Sequence, residues 1–198
     1  PKGFCATQYA INSNQGDVLH PHLADIAKKH MAHAYQRPFH LASVDAFKRF
    51  HAAALKHDMP IILDAGCGTG YSTVRLAHLY PDHLVVGVDR SLSRLSKSAY
   101  CFGSGSDDLR QRVYFLRADL VDVYQLLSLD SLPIKKHYLF YPNPYPKAKH
   151  IKRRWHGHPV FPELLKLAPY HELRSNWLLY LKECAFVARI MDPKITCS

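Results

Sequence analysis

The chain has no apolar run near the roughly 18 residues that a membrane-spanning helix needs, and its first residues are polar, without the layout of a secretory signal. A soluble, cytoplasmic protein without a membrane partner is therefore expected. Cysteine is scarce and unpatterned: Cys5, Cys67, Cys101, Cys184 and Cys197 are odd in number, scattered, and include no CxxC pair. That excludes a disulfide framework and a structural zinc site, and makes reduced thiols the expectation. There are no internal repeats and no low-complexity tract, so a solenoid is excluded too. Acidic residues are missing altogether over residues 131–162.

What is present fits a single compact domain. The 198 residues are 47% hydrophobic and 21% charged, ordinary values for a globular chain able to bury about 70% of its unfolded surface. Within it, residues 1–58 read as an N-terminal helical segment and residues 59–198 as the main domain. Lys and Arg number 26 against 16 Asp and Glu, a net charge of +10 with 14 histidines counted neutral. An anionic partner is implied.

Apolar periodicity alternates between the two secondary-structure types. Helical spacing runs over 23–34 and 44–54. Pro60 then introduces the continuous apolar run Ile61-Ile62-Leu63, which ends in Asp64 and the glycines Gly66, Gly68 and Gly70. A helix over 72–79, a strand over 84–88 ending in Asp89, a helical stretch over 92–100, a loop over 103–108 and a strand over 113–116 ending in Ala118-Asp119 follow. A fourth strand, 138–141, enters Pro142-Asn143-Pro144-Tyr145-Pro146, and a fifth near 171–174 precedes a helix over 177–189. Such alternation predicts an α/β fold with a doubly wound, mostly parallel sheet.

In such sheets ligands bind beyond the carboxyl ends of the strands. Asp64-Ala65-Gly66-Cys67-Gly68-Thr69-Gly70 puts glycines where the backbone must turn and let a ligand approach. Asp89 ends the next strand, the place of a ribose-binding acid. Position 71, where a dinucleotide fingerprint needs its third Gly or Ala, is Tyr71, and no Lys-Ser/Thr follows to make a P-loop. The stretch instead resembles the S-adenosylmethionine loop of class I methyltransferases. That resemblance implies Asp89 on the ribose and Ala118-Asp119 near the adenine, although an Asp before Leu120 also suits a helix N-cap. Cys67 reads as packing.

The acid-free stretch carries Lys135, Lys136, Lys147, Lys149, Lys152, Arg153 and Arg154, seven positive charges, interleaved with Tyr145, His150, Trp155 and His156. Cations with aromatics suit a phosphate backbone with stacked bases. More specifically, Asn143-Pro144-Tyr145-Pro146-Lys147 with His150 and Lys152-Arg153-Arg154 resembles the Asp-Pro-Trp-x-Lys-x-x-His-x-Lys-Arg-Arg of the tRNA (guanine-N7)-methyltransferase family, agreeing at six of eight defined positions. Ser175-Asn176-Trp177 with Tyr180 and Glu183 is similar to a later element of that family. At Asn143 and Asn176 an asparagine stands where the family has aspartate, so the chain is identified as a divergent member.

The resemblance covers about residues 61–183. It implies a Rossmann-like class I methyltransferase domain, S-adenosylmethionine as cofactor and RNA, expected to be tRNA, as partner. Carried over by position, it places Asp64, Gly66, Gly68, Gly70, Asp89, Ala118, Asp119 and Asn143 around the cofactor, with Asn143 also at the reacting base. Lys147, His150, Lys152, Arg153, Arg154 and Asn176 are assigned to the RNA. The family's closing Thr-x-Phe-Glu element has no match before Ser198, so the last strands of the family's sheet are expected to be lacking. The asparagines leave two other readings: an exocyclic-amine methyltransferase, which carries Asn-Pro-Pro-Tyr, and a non-catalytic RNA-binding relative. His150, His156 and His158 lack the compact four-ligand set of a metal site, and none is expected.

Overall fold

The computed structural model describes residues 18–103 and 107–197. Cys5 and residues 104–106 of the expected Gly/Ser/Asp loop lie outside the described residues. The described chain forms two compact units, one of residues up to Gln36 with Tyr141–Leu165 and those from Leu173 onward, the other of Arg37–Phe140 with Lys166–Glu172.

In chain order, α1 (Leu23–Ala32) belongs to the first unit. The second contains α2 (Leu41–His57), β1 (Ile61–Ala65), α3 (Tyr71–Leu79) and β2 (Leu84–Asp89). The short α4 (Leu92–Leu95), a 3-10 segment at Ser98–Phe102, α5 (Asp107–Gln111), β3 (Val113–Arg117), α6 (Leu120–Ser128) and β4 (Ile134–Phe140) follow. The chain then passes through 3-10 turns at Ala148–Arg153 and Trp155–Gly157 and α7 (Phe161–Lys166) to β5 (Tyr170–Arg174) and α8 (Leu178–Met191).

The strands form one sheet in the order β3-β2-β1-β4-β5. β1 pairs in parallel with both β2 and β4, and β2 with β3. Every residue of β1 and β2 is buried, which is why these strands read as unbroken apolar runs: covered on both faces, they have no polar side to present. The winding starts at β1, moves out to β3 and then returns to β4 on the other side of β1. That reversal of direction at β1 is the switch point of a doubly wound sheet.

Two elements differ from their sequence signals for physical reasons. The helical period over 92–100 starts with Ser91 capping α4 but breaks after it, where Ser96 Oγ donates to the Ser93 carbonyl at 3.2 Å; a serine hydroxyl competing for backbone groups shortens helices. β4 begins at Ile134, earlier than its aromatic run suggests, because Lys136 belongs to the strand. Its ammonium sits 4.3 Å from the Tyr170 ring centroid and 5.1 Å from that of Tyr80, so a cation is accommodated on the sheet.

In the first unit α1 packs on α8, and Trp177, Leu179 and Tyr180 form a small core with Leu19 and Leu173. No described helix is long and apolar enough to cross a membrane.

Candidate functional site

In the second unit, β1 delivers Asp64 fully buried to the start of the glycine loop. Its Oδ2 accepts hydrogen bonds from Ser72 Oγ and Thr73 Oγ1, both at 2.7 Å. Its Oδ1 is buried with no hydrogen-bond partner. Burial outweighs the two hydroxyl bonds and raises the Asp64 pKa above the ordinary carboxylate value. The loop folds back on β2, with the Gly66 and Cys67 amides donating to the Val88 carbonyl at 2.8 and 3.0 Å. Gly70 has a left-handed φ of 88°, and a Cβ there would lie 2.5 Å from the Phe115 ring, so no other residue fits at the entrance to α3. A Cβ on Gly68 would meet nothing within 4 Å, which marks open ground above the loop.

Asp89, 4% exposed at the end of β2, accepts the Gly68 amide on Oδ2 at 3.1 Å, and the Ser91 amide at 2.8 Å and Arg94 Nη2 at 3.0 Å on Oδ1. The carboxylate thus ties two loops of the β1–β2 end together and keeps lone pairs for a further donor. Cys67 is buried between these acids. Desolvation, with the Asp64 charge, pushes its thiol far above the ordinary value, which rules out a nucleophile and leaves packing.

Ala118 and Asp119 follow β3 and line a cavity of about 570 Å³ together with Ser43, Arg49, Arg90 and Arg117, a volume typical of small-molecule sites. Asp119 is the N-cap of α6, its side chain accepting the Val121 amide at 2.9 Å, and it also accepts Arg37 Nη2 at 3.3 Å. Sequence reasoning left Arg37 and Asp122 without a role. Asp122 is fully buried, bonds the Arg37 guanidinium by a short contact, and accepts from His40 Nδ1 at 2.8 Å. Burial opposes its ionisation, but the Arg37 and His40 bonds prevail and hold its pKa below the ordinary value. A carboxylate inside an apolar helical period was the available signal. Among the described residues no cluster of side chains suits a metal ion.

In the first unit, the loop after β4 is held in an unusual shape. Tyr141 and Tyr145 have left-handed φ of 51° and 44°, each a costly conformation for an aromatic residue. Asn143 lies between them, exposed, with its Oδ1 accepting the Tyr145 amide at 3.2 Å. Lys147, Lys149, Lys152 and Arg153 are exposed and His150 is half-buried. The Tyr145 ring sits 5.9 Å from the Arg153 guanidinium and 6.2 Å from the His150 ring. Partial burial, with Arg153, Lys149 and Lys147 nearby, lowers the His150 pKa. Asn176 is exposed just before α8.

Arg154 departs from the expectation that it touches RNA. It has no exposed surface, because Nη1 pairs with Glu183 Oε2 at 2.5 Å, Nε donates to the Tyr145 carbonyl at 3.2 Å and the guanidinium lies 4.7 Å from the Trp177 centroid. A charge enclosed in this way is unreachable by a phosphate. Glu183, also wholly buried, further accepts from His156 Nε2 at 3.0 Å and from the His20 amide at 2.9 Å. The cluster pins the basic loop to α8 and leaves its neighbours Lys152 and Arg153 outward.

A methyltransferase family model, Methyltransf_4, matches residues 58–184. The tRNA (guanine-N(7)-)-methyltransferase of Mycobacterium ulcerans (strain Agy99) is 27% identical over 158 residues, 78% of this chain and 54% of that protein. The protein of the same description from Mycobacterium bovis (strain BCG / Pasteur 1173P2) is 37% identical over 101 residues, 49% of this chain and 36% of its own length. The chain therefore spans about half, or less, of the length of these curated relatives. Among solved structures, one described as "Structure of an Antibiotic Related Methyltransferase" superposes with a TM-score of 0.51 at 12% identity, covering 73% of each chain, a likeness of fold.

Proposed function

Because the chain belongs to the tRNA (guanine-N7)-methyltransferase family, we propose that it transfers a methyl group from S-adenosylmethionine to guanine N7 of an RNA, with tRNA as the substrate. The observation that carries this reading is Asp64 Oδ1, a buried carboxylate oxygen without a partner at the strand end that opens into the glycine loop. A buried anionic acceptor left unpaired costs stability unless a ligand donates to it. An amino-acid ammonium is a suitable donor, and Asp89 at the end of β2 offers lone pairs to ribose hydroxyls. With the open ground over Gly68, these residues fit the cofactor. When bound, it supplies a methyl group activated on a sulfonium sulfur.

The chain's own residues have little covalent work to do. Guanine N7 carries its lone pair in the ring plane, so no base must remove a proton before attack, and catalysis is mainly positioning. Asn143 Oδ1 is taken by the Tyr145 amide, which leaves its NH2 as the group to donate to a base, guanine O6 being a suitable acceptor. Family aspartates at this position bring a negative charge that would steady the base as it becomes cationic. Asn143 orients without that charge, and slower turnover follows. Lys147, Lys152, Arg153 and Asn176 contact the RNA, and Tyr145 provides a stacking face.

Nucleoside mass spectrometry of unmodified tRNA transcripts incubated with the protein and isotope-labelled cofactor tests this. Label in 7-methylguanosine is the expected result. Label in an adenine exocyclic amine would replace this reading by the amine-methylating one, and absence of both label and cofactor binding would leave an RNA-binding relative.

A further inference from the structure

The first unit contains a cavity of about 310 Å³ that involves α1, a helix the methyl-transfer reading does not use. Lys29, His30 and His33 line it from α1 and the residue that follows, and Lys152 and Pro159 line it from the basic stretch. No lining residue is acidic, and neither lysine forms an ion pair among the described residues. Two lysines therefore line one space whose walls carry no counter-charge.

His30 gives the cavity its second feature. Its Nδ1 is buried without a hydrogen-bond partner, a state that folded chains rarely tolerate. Burial, then Lys152 and Lys29 in turn, lowers its pKa, so the ring senses both lysines. The rest of the wall is apolar or aromatic at Ile26, Ala34 and Tyr35, with the polar Gln36 beside them. The complementary ligand has a compact anion, a hydrogen-bonding group beside it and a flat or apolar body. One nucleotide has that chemistry, and sharing Lys152 with the exposed basic run favours a nucleotide within an RNA strand over a free one.

We propose that this cavity is a second RNA contact, taking one nucleotide of the substrate with its phosphate between Lys29 and Lys152 and a hydrogen bond at His30 Nδ1. The proposal rests on RNA being the partner, as argued above, but not on methyl transfer. It makes α1 part of the recognition surface. It also gives His30 and the exposed His33 a role.

The test uses the full chain and an unmodified tRNA transcript, with affinity measured by fluorescence anisotropy at several salt concentrations. Lys29 is exposed, so Lys29→Ala should fold normally. It is expected to weaken binding three- to tenfold and reduce the salt slope by about one. His30→Ala should weaken binding similarly, and in the wild type the His30 ring should titrate at higher pH once RNA is bound, because phosphate offsets Lys152 and Lys29. Calorimetry with S-adenosylmethionine should be unchanged in both variants. Equal affinity and slope for Lys29→Ala and wild type would overturn the proposal, as would loss of guanosine monophosphate binding with tRNA binding intact. If wild type binds the transcript through Lys29 but never methylates it, the methyl-transfer reading fails and the cavity stands.

Discussion

Arg154 and Glu183 pair with neither side chain exposed to solvent, so the last arginine of the Lys152-Arg153-Arg154 run is a structural anchor while the two residues before it face outward. Removing one member takes the opposite charge away from the other in a site without solvent, and the remaining hydrogen bonds, from His156 and the His20 amide to Glu183 or from Arg154 to the Tyr145 carbonyl, do not replace it. Arg154→Ala or Glu183→Ala should each cost about 3–5 kcal/mol by chemical denaturation. Replacing both by apolar residues should cost much less than the sum of the two.

The exposed pair should behave oppositely. Lys152→Ala with Arg153→Ala should leave the melting temperature within a few degrees, weaken tRNA binding, and lower the salt slope by about two. An unchanged slope would remove these two side chains from the RNA contact.

Asp64→Asn separates cofactor binding from stability. The folded-state pKa of Asp64 is raised by burial, so its ionisation opposes folding at neutral pH, and that penalty disappears as the pH falls toward the unfolded value near 3.9. The variant should be about 1 kcal/mol more stable than wild type at pH 7, with the difference closing in acid, and should bind S-adenosylmethionine at least tenfold more weakly by calorimetry.

Asp122 has the reverse sign. Its pKa is held below the ordinary value chiefly by Arg37 and His40, against the cost of burial, so its contribution is fully present above about pH 4 and is lost as the pH falls through its folded value. Asp122→Asn should destabilise the protein by about 2 kcal/mol at pH 7 and make its stability less sensitive to acid.

Asn143→Asp should raise the single-turnover rate on bound tRNA without improving tRNA affinity. An unchanged rate would show that the missing carboxylate charge does not limit transfer.

The sheet could be read from the chain because both faces of β1 and β2 are covered, and that burial writes itself as apolar runs ended by Asp64 and Asp89. Where a side chain does two jobs, the pattern misled. Lys136 and Arg154 look like surface charges in a linear string, yet one rests on tyrosine rings and the other is enclosed by Glu183, a partner 29 positions away. Asp119 could be read either as a cofactor ligand or as a helix cap, and it does cap α6. The Arg37–Asp122 pair joins residues 85 positions apart, a relationship that no local spacing encodes.

The loop from Tyr141 to Pro146 has one more consequence. Three prolines restrict it, an asparagine closes a turn within it, and two tyrosines hold backbone angles that an open chain would seldom visit. The conformational entropy of that segment is surrendered when the protein folds, not when RNA arrives. A preorganised loop of this kind lets binding energy appear as affinity instead of being consumed in ordering. Loosening it, by exchanging Pro142 and Pro144 for more mobile residues, would therefore act on association with RNA even though every side chain proposed to touch RNA remained in place.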